Sequence, residues 1–175
     1  MEQEAFSLIA PSAAYSRQIA AYRQEFLSRG DSMDGCGSLR KFEDPLAYIG
    51  QCRLRSDPLT AGEAGGHAAQ FLLIRASDDR VIGMAQYRFD ADPRFRIGYS
   101  IRPGERRKGY GKLLLRQLMC WLGAQGIAEA VIACEPSNSG SRRIILSCGG
   151  EFMEQCEYRG IKLLVYKLRT IPPAV

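Results

Sequence analysis

The chain holds a single histidine, His67, no pair of cysteines at C-x-x-C spacing, and no apolar run approaching eighteen residues. Each absence removes a class of protein. The usual zinc site draws ligands from such a cysteine pair, so the six cysteines at 36, 52, 120, 134, 148 and 156 do not point to a metal. A nucleophilic cysteine needs a polarising partner, and the one histidine sits in a glycine-rich stretch that reads as an exposed loop, which disfavours Cys–His chemistry. Gln3, Glu4, Arg17, Gln18 and Arg23 interrupt the early residues, so no early apolar run reaches signal-peptide form, and no membrane-crossing helix is expected. The expectation is a soluble, cytoplasmic protein with reduced thiols, several of them buried as small apolar groups.

What is present is ordinary in amount and uneven in placement. With 175 residues, 46% of them hydrophobic and 25% charged, the chain fits one globular domain over residues 1–175. The net charge is +5. Between Arg102 and Arg116 lie six basic side chains, at 102, 106, 107, 108, 112 and 116, against the single acid Glu105. That local excess equals the excess of the whole chain, so the basicity belongs to one spot sized for a small polyphosphate. Nucleic acid and membrane are therefore not the expected partners.

The spot has a recognisable context. Ile97-Gly98-Tyr99-Ser100-Ile101 alternates as a strand does, and Arg102-Pro103-Gly104-Glu105 breaks it. After Arg106-Arg107-Lys108-Gly109-Tyr110-Gly111-Lys112 a helix follows, with Leu114, Leu118, Trp121 and Leu122 on one face and Lys112, Arg116 and Gln117 on the other. A helix start exposes N–H groups without intrahelical acceptors and carries roughly half a positive charge. Gly109 and Gly111 would let the backbone approach an anion closely. The spacing matches neither the P-loop nor the dinucleotide fingerprint.

The run from Arg106 to Gly111, preceded by the strand and followed by Val131-Ile132-Ala133-Cys134, Asn138 and Gly149, resembles the coenzyme A motif of the GNAT superfamily of N-acetyltransferases. It is most similar to a bacterial branch carrying IGYS-[IV]-RP-x-ERRKGY, then C-x-x-x-N-x-x-S, then a GG pair, here Ile97 to Tyr110, Cys134 to Ser141, and Gly149-Gly150. The resemblance implies a mixed α/β fold whose largely antiparallel central sheet is splayed in the middle. It implies acetyl-CoA as co-substrate, with no metal, and an amine of a small molecule or peptide as acceptor. Ser100, Ile101, Arg106, Arg107, Lys108, Gly109, Tyr110, Gly111, Lys112, Asn138 and Ser141 would then contact the coenzyme.

Catalysis is less complete on this pattern. Many members place a tyrosine seven residues after the asparagine, where this chain has Ile145, and no Asp or Glu occurs between Pro93 and Glu105. Glu135 and Tyr99 are the candidates that remain. Arg94 and Arg96 are candidates for a substrate carboxylate or for a solvated strand face. Because two roles lack their usual residues, a non-catalytic acyl-CoA-binding sensor or scaffold is the alternative. Monomer and homodimer both fit the sequence.

Read in order, Phe6 to Ile9 is a first strand, and Ser12 caps a helix of residues 13–28 that carries Ile19, Tyr22, Phe26 and Leu27 and stops at Gly30. Residues 30–44 form a loop, and Asp44-Pro45 begins a second helix. Residues 56–69 form a second loop, and these two loops would shape the acceptor site. Phe71 to Arg75 and Val81 to Arg88 make a hairpin. The strand of residues 129–135 has a continuous apolar middle and is expected to be buried on both faces. Asn138 caps a short helix, and Phe152 to Tyr158 with Ile161 to Leu168 closes the chain as a hairpin.

Overall fold

The computed structural model describes residues 4–173. Its strands are β1 (Phe6–Ile9), β2 (Ala68–Arg75), β3 (Arg80–Arg88), β4 (Ile97–Ile101), β5 (Glu129–Cys134), β6 (Glu151–Tyr158) and β7 (Ile161–Arg169). The helices are α1 (Ser16–Arg29), α2 (Pro45–Ser56), α3 (Tyr110–Ala124) and α4 (Ser139–Ser147). One antiparallel sheet runs β1-β2-β3-β4 and a second runs β5-β7-β6. β4 and β5 are the facing edges, and among the described residues no ladder joins them. The central sheet is thus mixed with helices, antiparallel and split in the middle, as expected.

Two apolar clusters explain why the first sheet stays in place. On one face Leu72, Ile74, Val81 and Met84 pack with Ile19, Tyr22 and Phe26 of α1 and Tyr48 of α2. On the other, Phe71, Leu73, Ile82 and Ala85 pack with Leu114, Leu115, Leu118 and Leu122 of α3 and with β5 and β7. Because both faces of β2 and β3 are covered, their sequences carry the continuous stretches Phe71 to Ile74 and Val81 to Ala85, with buried Gln70 and Gln86 beside them. β5 differs from its expectation: Ala130, Ile132 and Cys134 are buried while Glu129 is exposed and Val131 and Ala133 are half-buried, so it alternates. The doubly covered strands are β2 and β3.

Local chemistry sets most boundaries. The Asp44 carboxylate accepts the Leu46 N–H and Pro45 opens α2. Gly30 ends α1 in the left-handed region. Ser12 makes no side-chain cap; residues Ala13–Tyr15 form a 3₁₀ turn and α1 proper starts at Ser16. Leu27 is only half-buried. The segment after α1 is held down, since Cys36 and Leu39 are buried in the cluster beneath α1 and α2 and the Tyr48 hydroxyl donates to the Cys36 carbonyl. No helix among the described residues is long and apolar enough to cross a membrane.

Candidate active site

The N-terminus of α3 is built differently from those of α2 and α4. Asp44 and Asn138 cap their helices with side-chain oxygens, whereas Gly109, with φ +85°, offers none to α3. The N–H groups of Arg107 to Lys112 meet no protein acceptor among the described residues. Arg107 also sits at positive φ, +64°, which turns successive amides toward one side. A Cβ at Gly109 would meet nothing, so that glycine is needed for its backbone conformation. Gly111 has another reason: a Cβ there would overlap Ile144, so it lets α3 and α4 approach each other.

The basic side chains divide into two groups. Arg102 is paired with Glu25 at 2.6 Å, Arg106 with Asp31 at 2.7 Å, and Lys108 with Glu105 at 2.9 Å. Arg107 and Lys112 form no ion pair among the described residues and line the cleft beside the turn, while the Lys108 ammonium is held by Glu105. Two of the six basic side chains are therefore met by acids from α1 and its following loop, and a third by Glu105. Glu105 is 4% exposed and is also reached by Arg75 and Arg80. Burial would raise its pKa, yet hydrogen bonds and charge from Lys108 and Arg75 outweigh that and hold it below the usual carboxylate range. The Tyr110 ring packs on Phe6 and its hydroxyl accepts from Arg75, so its side chain ties the turn to β1 and β2.

From the glycine turn, a cleft of about 790 Å³ runs along the split between β4 and β5. Antiparallel ladders bond alternate residues. Since Arg88 N–H bonds Arg96 O and Arg102 N–H bonds Ile82 O at either end, residues 98 and 100 bond β3 while the backbone groups of Ile97, Tyr99 and Ile101 point into the split. The Ile101 carbonyl accepts from Arg106 Nε. Ser100 lines the same wall, but its hydroxyl is engaged by Tyr22 and Cys36 and its carbonyl also accepts from Tyr22.

Tyr99 reaches across the split. Its hydroxyl lies 3.0 Å from Ser141 Oγ on α4. Burial pushes its pKa well above the ordinary tyrosine value, with the Ser141 bond opposing in part, so the phenol keeps its proton at neutral pH. Asn138 spends its side-chain oxygen on the Ser141 N–H, as an N-cap. Ile145 is fully buried in the core, so α4 presents no hydroxyl from that position. Glu135 lies exposed on the cleft wall at the end of β5.

Of the two arginines marked in the sequence, Arg94 lines the cleft but is held by Asp92 and Glu154, and Arg96 donates to the Ala91 carbonyl. The structure adds Asp34 and Arg88 to the wall, neither of which the sequence reading singled out. Arg88 lies at a strand end like many solvated arginines, and only the fold turns it inward.

A family model described as "Acetyltransferase (GNAT) family" matches residues 39–149. The chain belongs to the GNAT acetyltransferase family. The GNAT fold extends over the rest of the chain in comparisons with solved structures. Microcin C7 self-immunity acetyltransferase MccE, in complex with acetyl-CoA and AMP, is 18% identical with a TM-score of 0.72 over 96% of this chain and 93% of that one. Ribosomal-protein-S5-alanine acetyltransferase from Vibrio fischeri is 14% identical, TM-score 0.71, over 97% and 96%. Spermidine N-acetyltransferase from Vibrio cholerae, with CoA and spermine, is 11% identical, TM-score 0.67, over 94% and 95%. Among curated protein sequences none matches.

Proposed function

We propose that this GNAT protein is an acetyl-CoA-dependent N-acetyltransferase that acetylates a primary amine of a small molecule or peptide by direct attack, both sheets forming one catalytic domain. The observation that carries the reading is the uncapped, cation-flanked start of α3 opening onto the unpaired edge of β4. The amides of residues 107–112, with Arg107 and Lys112, suit a diphosphate. The outward backbone groups of Tyr99 and Ile101 suit the amide-bearing arm of coenzyme A, and Asn138 and Ser141 border it. The complexes of MccE with acetyl-CoA and of the spermidine enzyme with CoA support the same cofactor.

Acetyl-CoA supplies an acetyl group activated as a thioester, whose sulfur needs a proton as it leaves. Tyr99 Oη holds such a proton, and its bond to Ser141 fixes the phenol in the cleft. The proton shed by the amine has a carboxylate available at Glu135. Calorimetric titration with coenzyme A and a thiol-release screen over amino acids, polyamines, aminoglycosides and peptide N-termini test the reading. Absence of coenzyme A binding at millimolar concentration overturns it. Binding without thiol release from any acceptor leaves an acyl-CoA-binding module instead.

A further inference from the structure

The far end of the cleft carries two opposite charges that the cofactor reading leaves unused. Gly35 packs so closely on the Gly98–Tyr99 backbone that neither glycine has room for a side chain, and Gln70 Nε2 fixes the Gly35 carbonyl at 2.7 Å. This contact sets Asp34 against β4: a Cβ on Gly98 would lie 3.8 Å from the Asp34 carbonyl carbon. The Asp34 carboxylate is exposed to the cleft, accepts only the Ser32 hydroxyl, at 2.8 Å, and has no cationic partner among the described residues.

Arg88 approaches the same end from β3, opposite Arg96 in the ladder. Its Nε and Nη2 both donate to the Phe95 carbonyl, which orients the guanidinium and leaves Nη1 without an acceptor. No carboxylate among the described residues pairs with it, although it is half-buried. Burial, with the charge of Arg55, lowers its pKa. A cation drawn out of water without an anion is unfavourable, and a ligand anion offsets that cost. By contrast, Arg94 already holds Asp92 and Glu154, and Arg106 holds Asp31.

Resting on the acetyltransferase reading above, we infer that the acceptor is an amine that also bears a carboxylate, a free amino acid or short peptide, with Asp34 receiving its nitrogen and Arg88 its carboxylate. Polyamines, which offer only positive charge, fit Asp34 and are repelled by Arg88. Both residues recognise the acceptor and neither touches the coenzyme turn.

The test measures kcat/KM by thiol release for amino acids, dipeptides and tripeptides, each against its C-terminal amide, with spermidine as the cationic comparison. Amino acids against peptides separates the two sources of carboxylate. Dipeptide and dipeptide amide both keep a peptide-type α-amine, which makes their ratio the cleanest measure. The expected result is a 10- to 100-fold preference for the free carboxylate in at least one pair, removed by Arg88→Gln and partly kept by Arg88→Lys. Asp34→Asn is expected to lower kcat/KM at least 10-fold through KM, with coenzyme A affinity unchanged by calorimetry. Equal use of acid and amide, preference for spermidine, or a preference that survives Arg88→Gln in a variant with unchanged melting overturns the inference. Coenzyme A binding without release from any member of the panel overturns it too. Failure to bind coenzyme A instead overturns the reading of the cleft itself.

Discussion

The Tyr99 hydroxyl and Ser141 Oγ lie 3.0 Å apart, and this bond links the edge of the four-stranded sheet to the helix that follows β5. Two half-sheets that share no ladder among the described residues are thereby tied where one side chain crosses the cleft.

Replacing Tyr99 with Phe removes the proton and keeps the ring. We expect kcat to fall about 10²-fold, in the range of a lost general acid, while coenzyme A affinity changes less than threefold. Ser141→Ala frees the phenol and should give a smaller loss in kcat. Thiol-release kinetics and calorimetry on the same preparations separate the two; an unchanged kcat in Tyr99→Phe would remove Tyr99 from the chemistry.

The two glycines of the turn should fail differently. Gly109→Ala meets no atom but must hold φ +85°, so a loss of about 1 kcal/mol is expected. Gly111→Ala collides with Ile144 and should lose about 1–3 kcal/mol by overpacking. Gly109→Glu keeps the fold and abolishes coenzyme A binding, by placing a carboxylate at the anion site. Urea unfolding and calorimetry on the three variants check this order.

Cations already paired should matter less to the coenzyme than free ones. Arg107→Ala and Lys112→Ala are each expected to weaken coenzyme A binding about 3- to 10-fold and to flatten its salt dependence, while Lys108→Ala changes it less than twofold. Glu105→Gln, which leaves Arg75, Arg80 and Lys108 around a buried neutral amide, should destabilise the protein by about 3 kcal/mol.

Stability should fall in alkali through buried thiols. Burial pushes Cys36 up to about 12 and Cys52 up to about 11, from ordinary values of 9.0. Both are raised in the folded state, so their contribution is complete below pH 9 and is lost as pH rises toward the folded values. Each pH unit above 9 should remove about 1.4 kcal/mol per group that ionises only when unfolded. Cys36→Ala should flatten the decline between pH 9 and 11 in urea titrations; an unchanged slope would show that the thiol is not the source.

The glycine turn, the capped starts of α2 and α4, and the order of strands and helices were legible because each depends on residues close in sequence. Assigning double burial to β5 failed because an apolar run does not say which sheet face is covered. That was settled by α1 and α2 lying on β2 and β3, far along the chain. Ser12 looked like a cap, but the 3₁₀ turn of Ala13–Tyr15 displaced the helix start. The charge count at Arg102 to Arg116 was right in number and misleading in effect, since Glu25 and Asp31 come from distant α1 and the segment after it.

The sequence by itself determined the family, the anion-ready turn and the missing tyrosine at Ile145, because glycine, proline and capping residues act through local backbone geometry. Only the tertiary structure decided which cations remain free, that Tyr99 meets Ser141, and that Asp34 and Arg88 share a wall. Charge pairing and cleft formation depend on distances between segments separated by tens of residues, and those distances exist only once both sheets have packed.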